Sequence, residues 1–308
     1  MPIPEPVKKV LRPLKHFVQQ RPHALRGAGA ARPTDELRSI LRPLGADGEE
    51  GRYGMVIDLS GHLAVVTGAS GELGRTIART LAGCGAGVVV HYHRGEARAE
   101  AVAADIRAAG GRTMTAQADI TDAASIAAMK AAVERELGAT PDILVNNAVA
   151  QYPWKSVLEQ PAEDFDSQYR SCVLQNVLMA QAFVPAMTEK GWGRVIAIST
   201  ECAMQCHPGQ AAYVSGKRGM DGVLRVLAKE VGARGVTVNQ VAPGWMISDK
   251  AREAGTERQE GYEKNVPLRR RGDDQDIANA VAFLASDLAD FVTGVYLPVC
   301  GGNVMPTI

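Results

Sequence analysis

Short apolar runs alternate with helical segments from residue 55 to the end of the chain. The first run, His62–Thr67, opens into a glycine-rich turn and a helical stretch, and the same pattern then recurs. Apolar strands that alternate with helices predict a parallel β-sheet covered by helices on both faces. We therefore expect residues 55–308 to form a single doubly wound α/β domain of about seven strands, with its ligand site at the carboxyl ends of the strands.

Residues 1–54 differ in composition from the rest of the chain. They contain ten Lys/Arg against six Asp/Glu, a balance of +4, and seven prolines interrupt every helical pattern. We expect a poorly ordered or surface-draped arm here. An arm that stabilises an oligomer and a translation start at Met55 are the alternatives that the sequence leaves open.

The overall charge and the cysteines point to a cytoplasmic protein with a small-molecule partner. The 34 Lys/Arg and 34 Asp/Glu balance, so no net field favours nucleic acid or a membrane surface. We find no apolar stretch of membrane-spanning length and no signal peptide. The five cysteines are scattered, which does not fit a disulfide framework, and no second pair follows Cys202 and Cys206 at zinc-ligand spacing. We therefore expect reduced thiols and no metal site.

The turn after the first strand has the composition of a phosphate-binding turn. It reads TGASGELG over residues 67–74 and leads directly into a helical segment. A tight turn needs glycine, and a helix N-terminus attracts phosphate through its free N–H groups and its dipole. After the first strand of a Rossmann-like sheet, this turn predicts a dinucleotide site. Its expected cofactor contacts are Gly68, Ser70, Gly71, Leu73 and Gly74.

The end of the second strand carries the signal for cofactor choice. Sites that prefer NAD often place a carboxylate here for the ribose hydroxyls, whereas arginine suits a 2′-phosphate. Tyr92 occupies the candidate carboxylate position, and Arg94 follows closely. We expect NADP(H) to be preferred over NAD(H). The alternative is that Arg94 is only a solvated surface charge.

Tyr213 and Lys217 are four residues apart, which places them on one face of a helix. A free tyrosine titrates near pH 10, and a nearby cation lowers that pKa, so the pair would pass a proton to or from a substrate oxygen. Thr200, at the end of the fifth strand, would hydrogen-bond the same oxygen. The alternative is a partly buried tyrosine with a surface lysine, and Thr200 as a turn residue.

These motifs, in this order, resemble the classical short-chain dehydrogenase/reductase family, and within it the β-ketoacyl-reductase-like group. The resemblance covers about residues 58–303. The matching segments are TGASGELG (67–74), ADI (118–120), NNA (146–148), the step from Thr200 to Tyr213, GQAAYVSGK (209–217), VNQVAPG (238–244), DIANAVAFLAS (276–286) and TGVYLPVCGG (293–302).

The resemblance implies hydride transfer between nicotinamide C4 and the carbon of a small carbonyl or alcohol substrate. It implies that Tyr213 donates or accepts the proton and that Lys217 holds the nicotinamide ribose and tunes Tyr213. Thr200 would stand in the position of the substrate-orienting serine. The further cofactor contacts that the resemblance implies are Asp119, Ile120, Asn147, Ala148, Pro243, Gly244, Met246 and Ser248.

The family resemblance also implies a homotetramer or homodimer. The contacts would be made by the long helices predicted at 162–189 and 211–233. Three glycines in the second helix, Gly216, Gly219 and Gly222, would allow close backbone approach between subunits, although glycine in a helix interior costs about 1 kcal/mol against alanine.

Four positions depart from the family pattern. Glu72 occupies the usual second-glycine position of the phosphate turn, and we expect it to turn outward. Val149 replaces a glycine, and Thr200 replaces the serine. Cys172 falls where an asparagine usually helps to hold a water near the lysine, and cysteine is a poor hydrogen-bonding substitute. As a hypothesis, Asn176 would restore that water link; an ordinary helix contact is the alternative.

Aromatic residues are prominent where the family places the substrate. We expect Trp154, Cys202 and Trp245 to contact the substrate, in an apolar or aromatic-friendly pocket with few fixed charges. Packing at the rim is the alternative for some of them. The charged stretch 249–265 contains two glycines and would be either a mobile lid or a solvated surface segment.

The sequence is consistent with three functions to different degrees. The leading one is an NADP(H)-dependent ketone or aldehyde reductase, or the reverse alcohol dehydrogenase. A catalytically weakened nucleotide-binding sensor or scaffold is the alternative from a different class. Glu72 and Cys172 motivate it, and the Tyr213–Lys217 pair argues against it. An enoyl reductase is disfavoured, because that branch of the family commonly has more than four residues between its tyrosine and lysine.

Overall fold

The computed structural model describes residues 41–43 and 53–306, and side chains from residue 56 onward. The chain divides into two compact units, residues 1–56 and 57–308. In the first unit, Leu41–Pro43 and Tyr53–Met55 pair as short antiparallel strands. The rest of the arm expected at 1–54 lies outside the described residues.

Seven strands form one parallel sheet in the second unit. Their order is β3-β2-β1-β4-β5-β6-β7, so the direction of winding reverses between β1 and β4. This is the doubly wound, Rossmann-like arrangement, and the prediction of the fold is confirmed. The strands are β1 (Leu63–Val66), β2 (Gly87–Tyr92), β3 (Thr113–Gln117), β4 (Ile143–Asn146), β5 (Gly193–Ile198), β6 (Val236–Pro243) and β7 (Tyr296–Val299).

Helices connect the strands and cover both faces of the sheet. The long helix predicted at 162–189 is interrupted, because Tyr169–Leu174 form a π-helical segment between two α-helices. The helices are α1 (Glu72–Gly83), α2 (Glu96–Ala108), α3 (Ala123–Leu137), α4 (Ala162–Gln168), α5 (Gln175–Lys190), α6 (Cys202–Gln205), α7 (Ala211–Val231), α8 (Asp249–Glu253), α9 (Glu260–Glu263) and α10 (Asp274–Ala285). Within the described residues, no helix has the length and apolar character needed to cross a membrane.

The core consists of two apolar layers, one on each face of the sheet. In β1, Ala64 and Val66 point into one layer, and Leu63 and Val65 point into the other. The first layer packs against α1, α2 and α10, and the second against α3, α5 and α7. Because both faces of β1 are buried, its sequence is continuously apolar rather than alternating.

Glycines in α7 allow close packing within the chain. A Cβ atom at Gly216 would lie 2.9 Å from the carbonyl oxygen of Gln168, and one at Gly219 would lie 2.9 Å from Cγ2 of Val173. These two glycines therefore let α7 approach the end of α4 and the π-helical segment of the same chain. Gly222 has no atom within 4 Å of such a Cβ position.

The charged stretch 249–265 contains the short helices α8 and α9. The buried side chain of Arg271 bonds the backbone just before this segment and at its middle. Its guanidinium donates to the carbonyl oxygens of Trp245, Met246, Thr256 and Glu257. The link between α8 and α9 is therefore tied to the end of β6 by one side chain.

Candidate active site

The glycine turn at the end of β1 is too tight for side chains at two positions. Gly68 has a φ of +64°, in the left-handed region. A Cβ atom at Gly74 would lie 2.3 Å from the carbonyl oxygen of Gly68 and 2.8 Å from Nδ2 of Asn147. Gly71 is the N-cap of α1 and has no side chain to cap the first-turn N–H groups. Those groups therefore remain free to bind phosphate.

His91 stabilises this turn through a hydrogen bond, a role that the sequence motifs do not predict. It is buried in β2, and its Nδ1 accepts a hydrogen bond of 3.0 Å from the Gly68 N–H. Its Nε2 donates to the Ala118 carbonyl oxygen at 3.1 Å. Burial lowers the pKa of His91 to about 4. The ring is thus neutral at physiological pH, with its proton on Nε2, as the acceptor role of Nδ1 requires.

Two cavities meet at the carboxyl ends of the strands. The first, about 610 Å³, extends along the glycine turn and is the candidate cofactor cleft. Asp119, Ile120 and Ser248, all expected to contact the cofactor, are not among its lining residues. The Asp119 carboxylate instead accepts from Thr121, and Ser248 caps α8. The expected cofactor residues that do line the cleft are Gly68, Ser70, Gly71, Leu73, Gly74, Arg94, Asn147, Ala148, Tyr213, Lys217, Pro243, Gly244 and Met246.

Basic side chains line the end of the cleft next to β2. Arg94 is joined there by Arg98, which the sequence analysis did not single out. A Cβ atom at Gly95 would lie 3.0 Å from Nη2 of Arg98 and 3.2 Å from Oγ of Ser70. The Arg98 guanidinium and the Ser70 hydroxyl therefore both lie close to Gly95. Two hydrogen-bond donors in this arrangement suit a phosphate group.

Glu72 is half-buried and lines the same cleft. The expectation that it turns fully outward is therefore too simple. Its charge acts on Arg75 and Asp274, which places the carboxylate beside α10 as well as at the start of α1. Arg75 in turn bonds Asp249 of α8 at 2.6 Å, so Glu72 belongs to a charged network at the mouth of the cleft.

The floor of the cleft is fixed by a buried hydroxyl. Thr67 Oγ1 accepts from the N–H groups of Asn147 and Ala148, at 2.9 and 3.0 Å, and donates to Gln175 Oε1 at 2.9 Å. Gln175 Nε2 then donates to the Ala148 carbonyl oxygen at 2.9 Å. The ends of β1 and β4 are thereby joined to the start of α5.

Tyr213, Lys217 and Thr200 converge where the two cavities meet. Tyr213 and Thr200 line both cavities, and Lys217 is buried behind them. Lys217 Nζ lies 5.7 Å from the centre of the Tyr213 ring and donates to the Ile198 carbonyl oxygen at 2.6 Å. Thr200 Oγ1 accepts from the N–H of Cys202 at 3.2 Å, and Tyr296 donates to the Thr200 carbonyl oxygen.

Burial dominates the electrostatics of this group. It raises the pKa of Tyr213 above its ordinary value, with smaller contributions from Cys172 and Cys202, while a hydrogen bond from Thr200 acts in the opposite direction. Burial also lowers the pKa of Lys217. Lys217, which the spacing predicts to lower the pKa of Tyr213, is not among the causes of this shift. Its Nζ faces the Ile198 carbonyl oxygen and lies 5.7 Å from the centre of the Tyr213 ring.

Cys172 lies beside Tyr213 and Lys217, within the π-helical segment. It is fully buried, and it contributes to raising the pKa of both Tyr213 and Lys217. Asn176 does not face this group. Its Nδ2 donates to the Cys172 carbonyl oxygen, and its Oδ1 accepts from Asn146 Nδ2, both at 2.7 Å. Asn176 therefore makes the helix contact that was the alternative to a water link.

The second cavity, about 680 Å³, has aromatic walls and is the candidate substrate pocket. The expected substrate residues Trp154, Cys202 and Trp245 all line it. The Trp154 ring stacks on Tyr213, with 6.2 Å between ring centres, and Trp245 meets Tyr262 edge-on at 5.5 Å. Among the described residues, no group of three or more His, Cys, Asp or Glu side chains is arranged to hold a metal ion.

Comparison with known proteins agrees with this geometry. A family model described as Enoyl-(Acyl carrier protein) reductase matches residues 68–303. The chain belongs to the short-chain dehydrogenase/reductase family. The 3-oxoacyl-[acyl-carrier-protein] reductase FabG of Staphylococcus aureus is 38% identical over 242 residues, 79% of this chain and 98% of the relative. Its Escherichia coli K12 counterpart is 37% identical over 259 residues, 81% and 100% of the two chains.

Solved structures show the same similarity. The promiscuous reductase LugOII, which catalyses a keto-reduction in lugdunomycin biosynthesis, superimposes with a TM-score of 0.75 at 32% identity, over 80% of this chain and 99% of that one. A 7α-hydroxysteroid dehydrogenase complexed with NADH and a 7-oxo bile acid gives 0.73 at 32% identity, over 80% and 96%.

These similarities confirm the expected β-ketoacyl-reductase-like family member. This short-chain dehydrogenase/reductase is an NAD(P)-dependent oxidoreductase that acts on carbonyl or alcohol groups. The family model carries the name of enoyl reductases, but the curated relatives are named as reductases of a 3-oxo group. The alternative of a nucleotide-binding sensor or scaffold is therefore set aside.

The tight contact at Gly74 predicts a specific loss of cofactor binding. In Gly74→Ala, the new methyl group must displace the Gly68 carbonyl or the Asn147 amide. Overpacking of this kind costs about 1–3 kcal/mol, so we expect the Kd for the nicotinamide cofactor to rise by roughly 10-fold or more. Gly83→Ala is the matched control, because no atom lies within 4 Å of its Cβ position. Unchanged cofactor affinity in Gly74→Ala, measured by titration calorimetry, would contradict this account of the turn.

The neutral state of His91 predicts a loss of stability in mild acid. The unfolded-state pKa is near 6.5 and the folded-state pKa about 4. The unfolded chain therefore binds more protons between these values, and stability is full above pH 6.5 and falls as the pH drops toward 4. Between pH 7.5 and 5, His91 accounts for about 2 kcal/mol of lost unfolding free energy.

Urea unfolding at the two pH values measures this effect. His91→Asn offers an amide oxygen to the Gly68 N–H without titrating, so we expect its stability to depend less on pH by that amount. His207→Asn, at an exposed position that does not act on His91, is the control and should keep the wild-type dependence. The same pH dependence in His91→Asn as in the wild type would show that His91 is not responsible.

Proposed function

We propose that this short-chain dehydrogenase/reductase reduces a small ketone or aldehyde with NADPH, or oxidises the corresponding alcohol, with Tyr213 as the proton donor or acceptor. The convergence of Tyr213, Thr200 and Lys217 between the cofactor cleft and the aromatic pocket carries this proposal. A carbonyl group in the aromatic pocket would lie next to a phenol and a hydroxyl, and its carbon would face the cleft.

The cradle at Gly68 and Gly74 and the free first-turn N–H groups of α1 fit the pyrophosphate of a dinucleotide. When bound, the nicotinamide supplies or accepts the hydride. The protein supplies the rest. Thr200 and Tyr213 hydrogen-bond the substrate oxygen, and in the reducing direction Tyr213 transfers its phenolic proton to that oxygen. Because burial raises the pKa of Tyr213, the phenol holds this proton at neutral pH.

Lys217 has a positioning role in this proposal. Its hydrogen bond to the Ile198 carbonyl oxygen holds the ammonium close to the Tyr213 ring, and Lys217 lines the cofactor cleft. The nicotinamide ribose hydroxyls would meet it there. As the proton leaves Tyr213, this ammonium stabilises the negative charge that develops on the phenolate.

NADP(H) is the cofactor that the cleft favours. Arg94 and Arg98 line its β2 end together with Ser70, and Tyr92 replaces the carboxylate that would bind free ribose hydroxyls. One relative's structure contains NADH, so the family fold also accommodates the cofactor without a 2′-phosphate. The two guanidinium groups are what support the phosphorylated form here.

We further propose a cytoplasmic homotetramer or homodimer. An apolar groove of about 690 Å³ runs along α5 and α7, and Gly222 and the half-exposed Val226 line it. These are the helices expected to build the subunit contact. The five cysteines, all free thiols, support a reducing compartment.

Removing the Tyr213 hydroxyl tests the chemical assignment. In Tyr213→Phe we expect kcat for carbonyl reduction to fall by roughly 100- to 10,000-fold, because general acid catalysis contributes about that much. Cofactor affinity should remain within a few-fold of wild type. Tyr169→Phe, at an exposed tyrosine, is the control and should keep full activity. Wild-type kcat in Tyr213→Phe with a ketone panel would refute the proton-donor role.

Cofactor preference is tested at the two arginines. In Arg94→Ala and Arg98→Ala we expect KM for NADPH to rise by roughly 10-fold or more, because hydrogen bonds to charged groups are worth about 1.5–3 kcal/mol. The KM for NADH should change little, because NADH has no 2′-phosphate. Arg107→Ala, farther along α2 and outside the cleft, is the control. A wild-type enzyme that prefers NADH, or equal effects on both cofactors, would overturn the NADP(H) proposal.

A further inference from the structure

A buried carboxylate lines the substrate pocket directly beside the catalytic threonine. Glu201 follows Thr200 in the chain and is 3% exposed, yet it belongs to the wall of the aromatic pocket. Its backbone N–H donates to the Pro243 carbonyl oxygen at 2.8 Å, which fixes it at the ends of β5 and β6. The proposed chemistry of Tyr213 does not use this carboxylate.

Neutral donors from two distant segments hold the Glu201 carboxylate. Tyr262 of α9 donates to Oε1 at 2.9 Å, and Asn303 near the C-terminus donates from Nδ2 to Oε2 at 3.0 Å. Burial raises the pKa of Glu201, and the hydrogen bonds from Asn303 and Tyr262 and the Trp245 N–H act in the opposite direction. An ionised carboxylate has about four acceptor positions, so these donors leave capacity for a further one.

The space for Tyr262 is created by a glycine. A Cβ atom at Gly244 would lie 2.7 Å from the Tyr262 hydroxyl and 3.0 Å from Cα of Cys300. The hydroxyl also accepts from the Trp245 N–H at 2.9 Å, so its own proton is directed to Glu201. The carboxylate is therefore held in one orientation before any substrate enters.

The remaining lining of the pocket contains no lysine or arginine among the described residues. His207, which also lines the pocket, lowers the pKa of Glu201, but this is the smallest of the effects on that carboxyl group. A carboxylate without a lysine or arginine partner is costly to seal under an apolar chain, and it repels an anionic one. A substrate with its own hydrogen-bond donor offsets that cost.

We propose that Glu201 is a specificity-determining residue that selects carbonyl substrates carrying a hydrogen-bond donor, a hydroxyl or an ammonium group, close to the reacting carbonyl. The donor lies close because Glu201 is adjacent to Thr200 in the chain. The half-exposed rings of Trp154 and Trp245 cover the apolar part of such a substrate. This inference rests on the proposed function of the pocket as the substrate site.

Four aryl ketones of similar size test this selection in the full-length wild-type enzyme with NADPH. The two donor compounds are 2-hydroxyacetophenone and 2-aminoacetophenone, each with its donor group on the alkyl carbon next to the carbonyl. Propiophenone is the apolar analogue, and benzoylacetate is the anionic one. We expect kcat/KM for the better donor compound to exceed that for propiophenone by roughly 10- to 100-fold, and benzoylacetate to be poorest. The two donor compounds distinguish a hydroxyl-binding from an ammonium-binding site.

Variants assign the selection to the carboxylate. In Glu201→Gln, the donor preference over propiophenone should shrink to within about 3-fold, given that a charged acceptor is lost. Glu253→Gln, an exposed carboxylate in α8, is the matched control and should retain the full preference. Melting temperature and NADPH affinity show whether each variant is folded. If Glu201→Gln does not fold, the wild-type series decides alone.

Equal kcat/KM for propiophenone and both donor compounds in the wild type would overturn the inference, as would a full donor preference in Glu201→Gln. Dissociation constants for the four ketones, measured in the presence of NADPH, provide a readout that does not need turnover. Preferential binding of the donor compounds without reduction of any of them would support selection by Glu201 and count against the proposed reductase chemistry.

Discussion

The hydroxyl of Thr67 is the interaction on which the site depends most. It is fully buried at the reversal point of the sheet, and through it β1, β4 and α5 share one hydrogen-bond network with Gln175 and the Asn147–Ala148 backbone. The glycine turn begins at the next residue, and Asn147 Nδ2 donates back to the Thr67 carbonyl oxygen at 2.9 Å. Every polar group in this network is used inside a low-dielectric region, so loss of one member leaves others unsatisfied. The cofactor cleft therefore has a rigid floor, whereas its mouth is built from surface charges.

Desolvation determines which protonation states are favoured in the proposed catalytic pair. Burial favours the neutral forms of both Tyr213 and Lys217, which retains the phenolic proton and weakens the ammonium. Cys172 opposes this effect on the lysine, whose Nζ donates a hydrogen bond of 2.6 Å to the Ile198 carbonyl oxygen. A tyrosine that holds its proton is ready to donate it, so reduction of a carbonyl requires no prior ionisation. Oxidation of an alcohol requires the phenolate first, and the neighbouring cation then becomes the decisive group.

Sequence patterns predicted the architecture almost element by element, because apolar periodicity is a local property of β1–β7 and of the helices between them. They did not reveal the π-helical segment at Tyr169–Leu174, since one extra residue in a turn leaves the composition of the helix unchanged. They also missed contacts between distant segments. The bond from Gly68 to His91 joins residues 23 apart, and those from Tyr262 and Asn303 to Glu201 join residues 61 and 102 apart. The spacing of four residues identified Tyr213 and Lys217, because a helix by itself places two residues at this spacing on the same face.

The departures from the family pattern have unequal consequences for the structure of the site. The backbone carbonyl oxygen of Cys172 accepts a hydrogen bond from Asn176. The π-helical segment therefore does not need a polar side chain at position 172 to hold its backbone. The change there removes a hydrogen-bonding group near Lys217 but leaves Tyr213 and Thr200 in contact with both cavities. Glu201 is not one of these departures; it places a carboxyl group in the wall of the pocket and ties α9 and the C-terminal segment to the end of β5. In the proposed function, Tyr213 transfers the proton and Thr200 hydrogen-bonds the substrate oxygen, whereas the neighbouring Glu201 selects the substrate.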